Sequence, residues 1–388
     1  MKVLLAPAHY YVSDKYGSEP EWSYGIIKNL KEKVKLTVII GTMDTNNPLK
    51  CSKEYIFLKK RSNNALKEII NKFMFYIYTY NISKKIYKQF DVIHHVLPFS
   101  EVSYNLLPLL KTINKPLIIG PACLPSNEGD LARALGSKNG ITLKISHFLL
   151  LISNWFFHYL FKKTISKCDQ LICTSISGKD YYSKYISKDK IVVIPPGVDT
   201  DKFKPSKKKN NKIKIIGAGY FLKHKRFDLL IKAFNDINKK FKNTELTIIG
   251  SGPEEKKLKQ LVKDLGVKVN FTGFINHDAI HKELNKGDIF CITSDIEPFG
   301  QVTIEAMASG MAIIGSNTGG IKDVVDNSVG RLFEKGSKDN LVAKISEIIN
   351  KREYEKLGQN SRLKILKEYS WKVIINKYIK LYKEVMKK

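Results

Sequence analysis

Two glutamates separated by seven residues, Glu297 and Glu305, stand where a loop enters a helical pattern in Ser294–Gly320 (SDIEPFGQVTIEAMASGMAIIGSNTGG). Gly300 between them permits a tight turn into the helix. The first N–H groups of that helix, around Phe299, Gly300, Gln301 and Val302, lack partners within it and can hold a diphosphate, helped by the helix dipole. Glu305, just over one turn in, can accept hydrogen bonds from both hydroxyls of a ribose. Glu297 lies on the other side, where the hydroxyls of a sugar would stand. The order ribose, diphosphate, sugar is thus mirrored by Glu305, helix N-terminus, Glu297. Taken alone, the pair reads first as a capped helix with two solvated acids.

These residues need elements to position them. The first half of the chain alternates short β-branched runs with helical patterns. Strands are expected at Lys2–Leu5, Leu36–Ile40, Tyr55–Leu58, Asp91–Val96, Leu117–Ile119 (ended by Gly120-Pro121), Gln170–Thr174 and Ile191–Ile194. Helices are expected at Glu21–Lys33 and Val102–Lys111, with one or two more within Ala65–Phe90. The pattern restarts at Lys212–Ile216 and runs to a closing helix over Tyr369–Lys387. Alternation of this kind implies parallel sheets with helices on both faces. The reading is α/β, with two Rossmann-like doubly wound domains facing across a cleft and a C-terminal helix crossing back to the first. The domains fall at 1–200 (with 366–388) and 212–365, joined by a polar, Pro-containing linker at 201–211. Ligands of such sheets sit on the loops that follow strands.

Composition narrows the function classes. The 388 residues are 43% hydrophobic, enough for two cores, and carry a net charge of +29. The excess is lysine, with arginine only at 61, 133, 226, 331, 352 and 362. Readers of nucleic acid favour arginine and no such motif is present, so nucleic acid is not an expected partner. The five cysteines (51, 123, 168, 173, 291) are scattered without a C-x-x-C pair and read as free thiols of a reducing, cytoplasmic compartment. The most apolar run, Phe148–Phe161, is too short to span a bilayer. It reads as a core helix or, with Lys162 and Lys163, as a helix on a membrane surface. An anionic membrane face is therefore a candidate partner. The tyrosine-rich Phe73–Tyr80 reads as core or surface packing.

The stretch from Glu297 through EPFG and EAMASG to Gly319-Gly320 resembles the signature of glycosyltransferase family 4. Other segments match in the same order. Pro195-Pro196-Gly197-Val198-Asp199, Phe203 and Pro205 resemble its hinge, and Lys225 before Phe227–Ile231 resembles its phosphate-binding lysine. Gly250–Pro253 and Phe271–Phe274 follow. Gly17–Pro20 is similar to a phosphate-facing loop of some members, Asp91–His95 to its strand end, and Ser370-Trp371 to its closing helix. The resemblance implies the GT-B fold and a retaining, metal-independent hexosyl transfer, without cofactor. The donor would be a UDP- or GDP-linked sugar and the acceptor a saccharide or lipid-linked saccharide of polysaccharide or glycoconjugate synthesis. It implies that Glu305 binds the donor ribose and Glu297 contacts the donor sugar. Lys225 would neutralise the leaving diphosphate, main-chain groups of Phe299, Gly300, Gln301 and Val302 would hold oxygens, and Gly17 would face phosphate.

The departures are specific. Tyr220 stands where the family places an arginine, so the clamp has one charge fewer unless Lys223 or Arg226 replaces it. Val96 occupies the position of a common histidine, which leaves His94 and His95 as candidates to contact the sugar, or as core histidines. Asp199-Thr200-Asp201 has the spacing of a D-x-D metal motif, but its place after Pro-Pro-Gly-Val reads as hinge. A nucleotide-sugar epimerase or phosphorylase on the same fold and a non-catalytic basic binding module are the alternatives.

Overall fold

The computed structural model describes residues 1–15, 19–45, 47–62, 64–96, 114–124, 159, 161–206 and 212–387. Gly17, the helix expected at Val102–Lys111 and most of the Phe148–Phe161 run lie outside them. The chain divides into two compact units, 1–195 with 375–388, and 196–374.

The first unit is a seven-stranded sheet in the order β3-β2-β1-β4-β5-β6-β7. Its strands are β1 (Lys2–Ser13), β2 (Lys35–Asp44), β3 (Lys53–Ile56), β4 (Val92–His95), β5 (Leu117–Ala122), β6 (Gln170–Cys173) and β7 (Ile191–Val193). Helices α1 (Glu19–Leu30), α2 (Ala65–Ile86) and α3 (Ile176–Tyr182) accompany it. Every pairing is parallel. β1 continues well past the expected Leu5, and β5 runs through Gly120-Pro121 rather than ending there. Gly120 at φ +128° lies against the Ile172 carbonyl of β6, an approach that excludes a Cβ. The inner strands β1, β2, β4, β5 and β6 are buried on both faces along most of their length, so they read as continuous apolar runs such as Val3–Ala6 and Val38–Ile40.

The second unit is a six-stranded parallel sheet in the order β10-β9-β8-β11-β12-β13. It comprises β8 (Ile213–Ala218), α4 (Phe227–Lys240), β9 (Thr244–Ile249), α5 (Glu255–Leu265), β10 (Val269–Gly273), α6 (His277–Leu284) and β11 (Ile289–Ile292). α7 (Gln301–Ala308), β12 (Ala312–Ser316), α8 (Ile321–Val324), β13 (Gly330–Phe333), α9 (Lys338–Asn350) and α10 (Tyr354–Glu368) follow. α4 shows why such helices form: Leu230, Ile231, Phe234 and Ile237 recur at helical spacing and are buried, while Lys239 and Lys240 close the last turn where the helix dipole favours cations. In both sheets the strand order reverses between two neighbours, β1 and β4 in one, β8 and β11 in the other. The loops at these carboxyl ends are the natural place for a ligand.

The expected linker at 201–211 is corrected in its first part, and the boundary at 200 moves to Pro195–Pro196. Phe203 is fully buried in the core of the second unit. The Arg362 guanidinium donates to the carbonyls of Phe203, Ala308 and Thr200. Asp199 Oδ1 accepts from the N–H groups of Asp201 and Lys202, so this carboxylate closes a turn. Val198 pairs with Ser370, and a Cβ at Gly197 would meet the Trp371 ring at 2.5 Å. The closing helix α11 (Trp371–Val385) begins there, and from Ile375 onward its residues belong to the first unit.

Candidate functional site

Four loops at the carboxyl ends of β8, β10, β11 and β12 bring the second unit's polar residues together. Lys225 closes a short turn after β8, and its Nζ donates to Glu297 Oε2 at 2.6 Å. Ser294 Oγ donates to the same oxygen at 3.1 Å. Glu297 is 7% exposed, so this is a largely desolvated pair in which each charge is costly without the other.

Gly300 enters α7 at φ +85°, and no side chain caps that helix. A Cβ at Gly300 would meet Ile321 Cδ1 at 2.6 Å. The Glu297 carbonyl accepts from the Gly320 N–H at 3.0 Å, and a Cβ at Gly319 would lie 2.0 Å from that carbonyl oxygen. The Gly-Gly pair is therefore a steric requirement of the Glu297 loop. Phe299 packs its ring in the core near Tyr369, so only its main chain can serve a ligand. Gln301 Nε2 donates to the Gly197 carbonyl at 3.3 Å, and Val302 is partly buried against the core.

Glu305 is 2% exposed and meets His277 Nε2 at 2.9 Å. A carboxylate only accepts here, so His277 carries its proton on Nε2, and Nδ1 faces Lys202 Nζ at 3.5 Å. His277 was not singled out from sequence. Its spacing from Glu305 has no periodic signature, because it stands at the start of α6, after another strand.

Arg226, expected as a substitute phosphate cation, is committed elsewhere. Its guanidinium donates to Asp228 (3.1 Å) and to both oxygens of Asp295 (3.3 and 3.2 Å). Those hydrogen bonds, with Asp228 first, hold its pKa above the ordinary arginine range. It sits at φ +52°, a conformation that costs a non-glycine residue about 1 kcal/mol. Its two carboxylate partners neutralise it and tie the Asp295 loop to α4. Exposed Lys223 remains to replace the charge missing at Tyr220.

The family model described as Glycosyltransferase Family 4 matches residues 24–202, and the one described as Glycosyl transferases group 1 matches 198–364. The chain belongs to glycosyltransferase family 4. An uncharacterized glycosyltransferase of Methanocaldococcus jannaschii is 29% identical over 80% of this chain and 90% of its own length. The GPI3 subunit of the phosphatidylinositol N-acetylglucosaminyltransferase of Saccharomyces cerevisiae is 27% identical over 69% of this chain. The match spans only 62% of that yeast protein. Anabaena HepE, solved in complex with UDP, superposes with a TM-score of 0.67 at 16% identity, covering 99% of this chain and all of HepE. At that identity the likeness shows the fold, two parallel-sheet α/β domains of the GT-B type.

In this family 4 chain His94 has a structural place. His94 is fully buried, with Nδ1 2.6 Å from the Tyr382 hydroxyl and Nε2 2.9 Å from the Gly120 carbonyl. The carbonyl accepts from Nε2–H, so Nδ1 accepts from Tyr382. No ring nitrogen of His94 is left for a sugar, and its expected catalytic role is corrected to one of holding α11 on the sheet. His95, 1% exposed, lies one residue further on β4. A third histidine, His9 on β1, accepts from the Tyr11 N–H through Nδ1, while its buried Nε2 meets no hydrogen-bond partner among the described residues.

Burial lowers His9 and His94 to about 4 and His95 to about 3 from the ordinary 6.5. As pH falls, the unfolded chain takes up these protons before the folded one does. Their contribution is complete above pH 6.5 and is lost as pH falls from there toward 4, by up to about 1.4 kcal/mol per pH unit for each histidine. We expect the urea midpoint of the first unit to fall over that window and His94→Asn to flatten the fall. A midpoint unchanged from pH 7 to 4.5 would contradict the neutral, buried assignment.

Proposed function

We propose that this family 4 enzyme is a retaining, metal-independent hexosyltransferase that uses a UDP- or GDP-linked sugar. The observation that carries the reading is the Lys225–Glu297 pair beside the uncapped N-terminus of α7, with Glu305 one turn further in. The helix N–H groups and Lys225 would take the diphosphate, Glu305 the ribose, and Glu297 the sugar hydroxyls. The bond between the sugar's anomeric carbon and the diphosphate oxygen breaks as the acceptor hydroxyl attacks from the same face. The acceptor's proton passes to the departing diphosphate. Catalysis rests on positioning and on charges already in place, so the chain's own groups suffice without a metal or cofactor.

The UDP of HepE favours UDP among the donors, and the phosphatidylinositol in the yeast relative's name favours a lipid-linked acceptor over a free saccharide. The chain would act in the cytoplasm, in glycoconjugate or polysaccharide synthesis. Thermal unfolding with UDP, GDP, ADP and their sugars, in EDTA, tests the donor assignment. A ligand at one hundred times its dissociation constant adds about 2.7 kcal/mol, a shift of several degrees. The expected result is a rise with one nucleotide family that Glu305→Ala abolishes. A flat response to every nucleotide would overturn the reading.

A further inference from the structure

Glu305 does not hold its buried place alone. His277 opens α6, and Ile280 and Leu284 of that helix pack in the core that also takes Ile304 and Met307 of α7. Two short helices on one core thus set the separation of the two side chains. Both are withdrawn from water, His277 at 7% and Glu305 at 2% exposure, and Nε2 meets Oε1 at 2.9 Å.

The imidazole is held on its other sides as well. The Phe203 ring packs against it with centroids 5.7 Å apart. Lys202 Nζ stands 3.5 Å from Nδ1, which favours the tautomer with its proton on Nε2. The main chain of Lys202 is fixed in turn, because its N–H donates to the Asp199 carboxylate.

A glutamate side chain is long and rotatable, and a carboxylate without a fixed partner can turn its oxygens away from a ligand. The bond from His277 uses one acceptor position of Oε1 and fixes the plane of the group. Oε2 takes no part in that bond, so the carboxylate keeps capacity for further donors. The adjacent hydroxyls of a ribose are a matching pair of donors. A deoxyribose lacks part of that pair, and a carboxylate or phosphate dianion has no proton to give.

We propose that His277 is a positioning residue that makes the donor site selective for a ribose diol, by holding the Glu305 carboxylate in the orientation its hydroxyls require. The inference rests on the reading of Glu305 as the ribose contact. In this role His277 acts through Glu305 rather than on the substrate.

Titration calorimetry of the full chain tests it, with UDP against 2′,3′-dideoxy-UDP and GDP against its dideoxy form. The ribonucleotide that binds should do so about 10²-fold more tightly than its dideoxy form, since each hydroxyl removed is a hydrogen bond to a charged acceptor. Glu305→Ala should bring that ratio near one. His277→Leu should lower it by about three- to tenfold, because the ribose must then order a freed glutamate side chain. His277→Asn, whose amide is too short to reach Oε1, should do the same and serves where the apolar variant fails to fold. His277→Gln, whose amide nitrogen can stand where Nε2 stood, should recover most of the ratio. A merely structural role would weaken both forms of the nucleotide alike. A wild-type ratio in folded His277→Leu or His277→Asn, with Glu305→Ala near one, would overturn the role of His277 and leave the ribose reading standing. Binding of neither ribonucleotide, or an unchanged ratio in Glu305→Ala, would remove the ribose reading and this role with it.

Discussion

Lys225→Ala is expected to lower kcat by about 10²–10³ while leaving the acceptor KM within a few-fold of wild type. Among the described residues the lysine is the one ammonium hydrogen-bonded to Glu297, and the neighbouring Arg226 is neutralised by Asp228 and Asp295. Among the described residues no nearby arginine is therefore free to take over the leaving diphosphate. The variant also strands the Glu297 carboxylate, with Ser294 as its remaining side-chain donor among the described residues. Lys225→Arg should recover only part of the rate, because a planar fork does not reproduce a compact ammonium at 2.6 Å from Glu297. Steady-state kinetics with the donor found by thermal shift decides the matter. A kcat within tenfold of wild type in Lys225→Ala would remove this residue from the leaving-group site.

Gly319→Ala is the second large effect. Its Cβ would stand 2.0 Å from the Glu297 carbonyl oxygen at a backbone φ of +47°. The loop must yield, and Glu297 moves with it. Displacements near 1 Å at a reacting centre can cost about 10²-fold in rate. Overpacking adds roughly 1–3 kcal/mol of instability. Gly266→Ala separates the two causes. It shares a positive φ of +61° but meets nothing within 4 Å, so it should lower stability by about 1 kcal/mol and leave activity intact. Equal loss of activity in both variants would mean that the contact with Glu297 is not what Gly319 protects.

Much of this architecture is legible in the chain itself, for a local reason. Apolar runs such as Leu36–Ile40 and the helical spacing of Phe227–Ile237 write periodicity directly into neighbouring residues. The helix entry at Gly300, the two glutamates and the Gly-Gly pair lie within one short stretch, so their relation survives without coordinates. Short elements carry too few periods to be seen. β13 (Gly330–Phe333) and α6 (His277–Leu284) escaped for that reason, and with α6 went His277, the partner of Glu305.

What only the tertiary structure decided is the choice of partners. In sequence His94 is open between a sugar contact and the core, and Arg226 is a candidate substitute for the missing phosphate cation. One is bound to Tyr382, 288 residues away, and the other to Asp295, 69 residues away. Phe73–Tyr80 reads as undifferentiated aromatic packing until the fold buries Phe75 and Tyr76 and leaves Phe73 and Met74 outside. Sequence by itself determined two α/β domains of the family 4 type and the residue types of the loop from Glu297 to Gly320. Side-chain partners separated by hundreds of residues depend on which strands become neighbours. That is set by packing the whole sheet, so only the folded chain shows which ionisable groups are already satisfied.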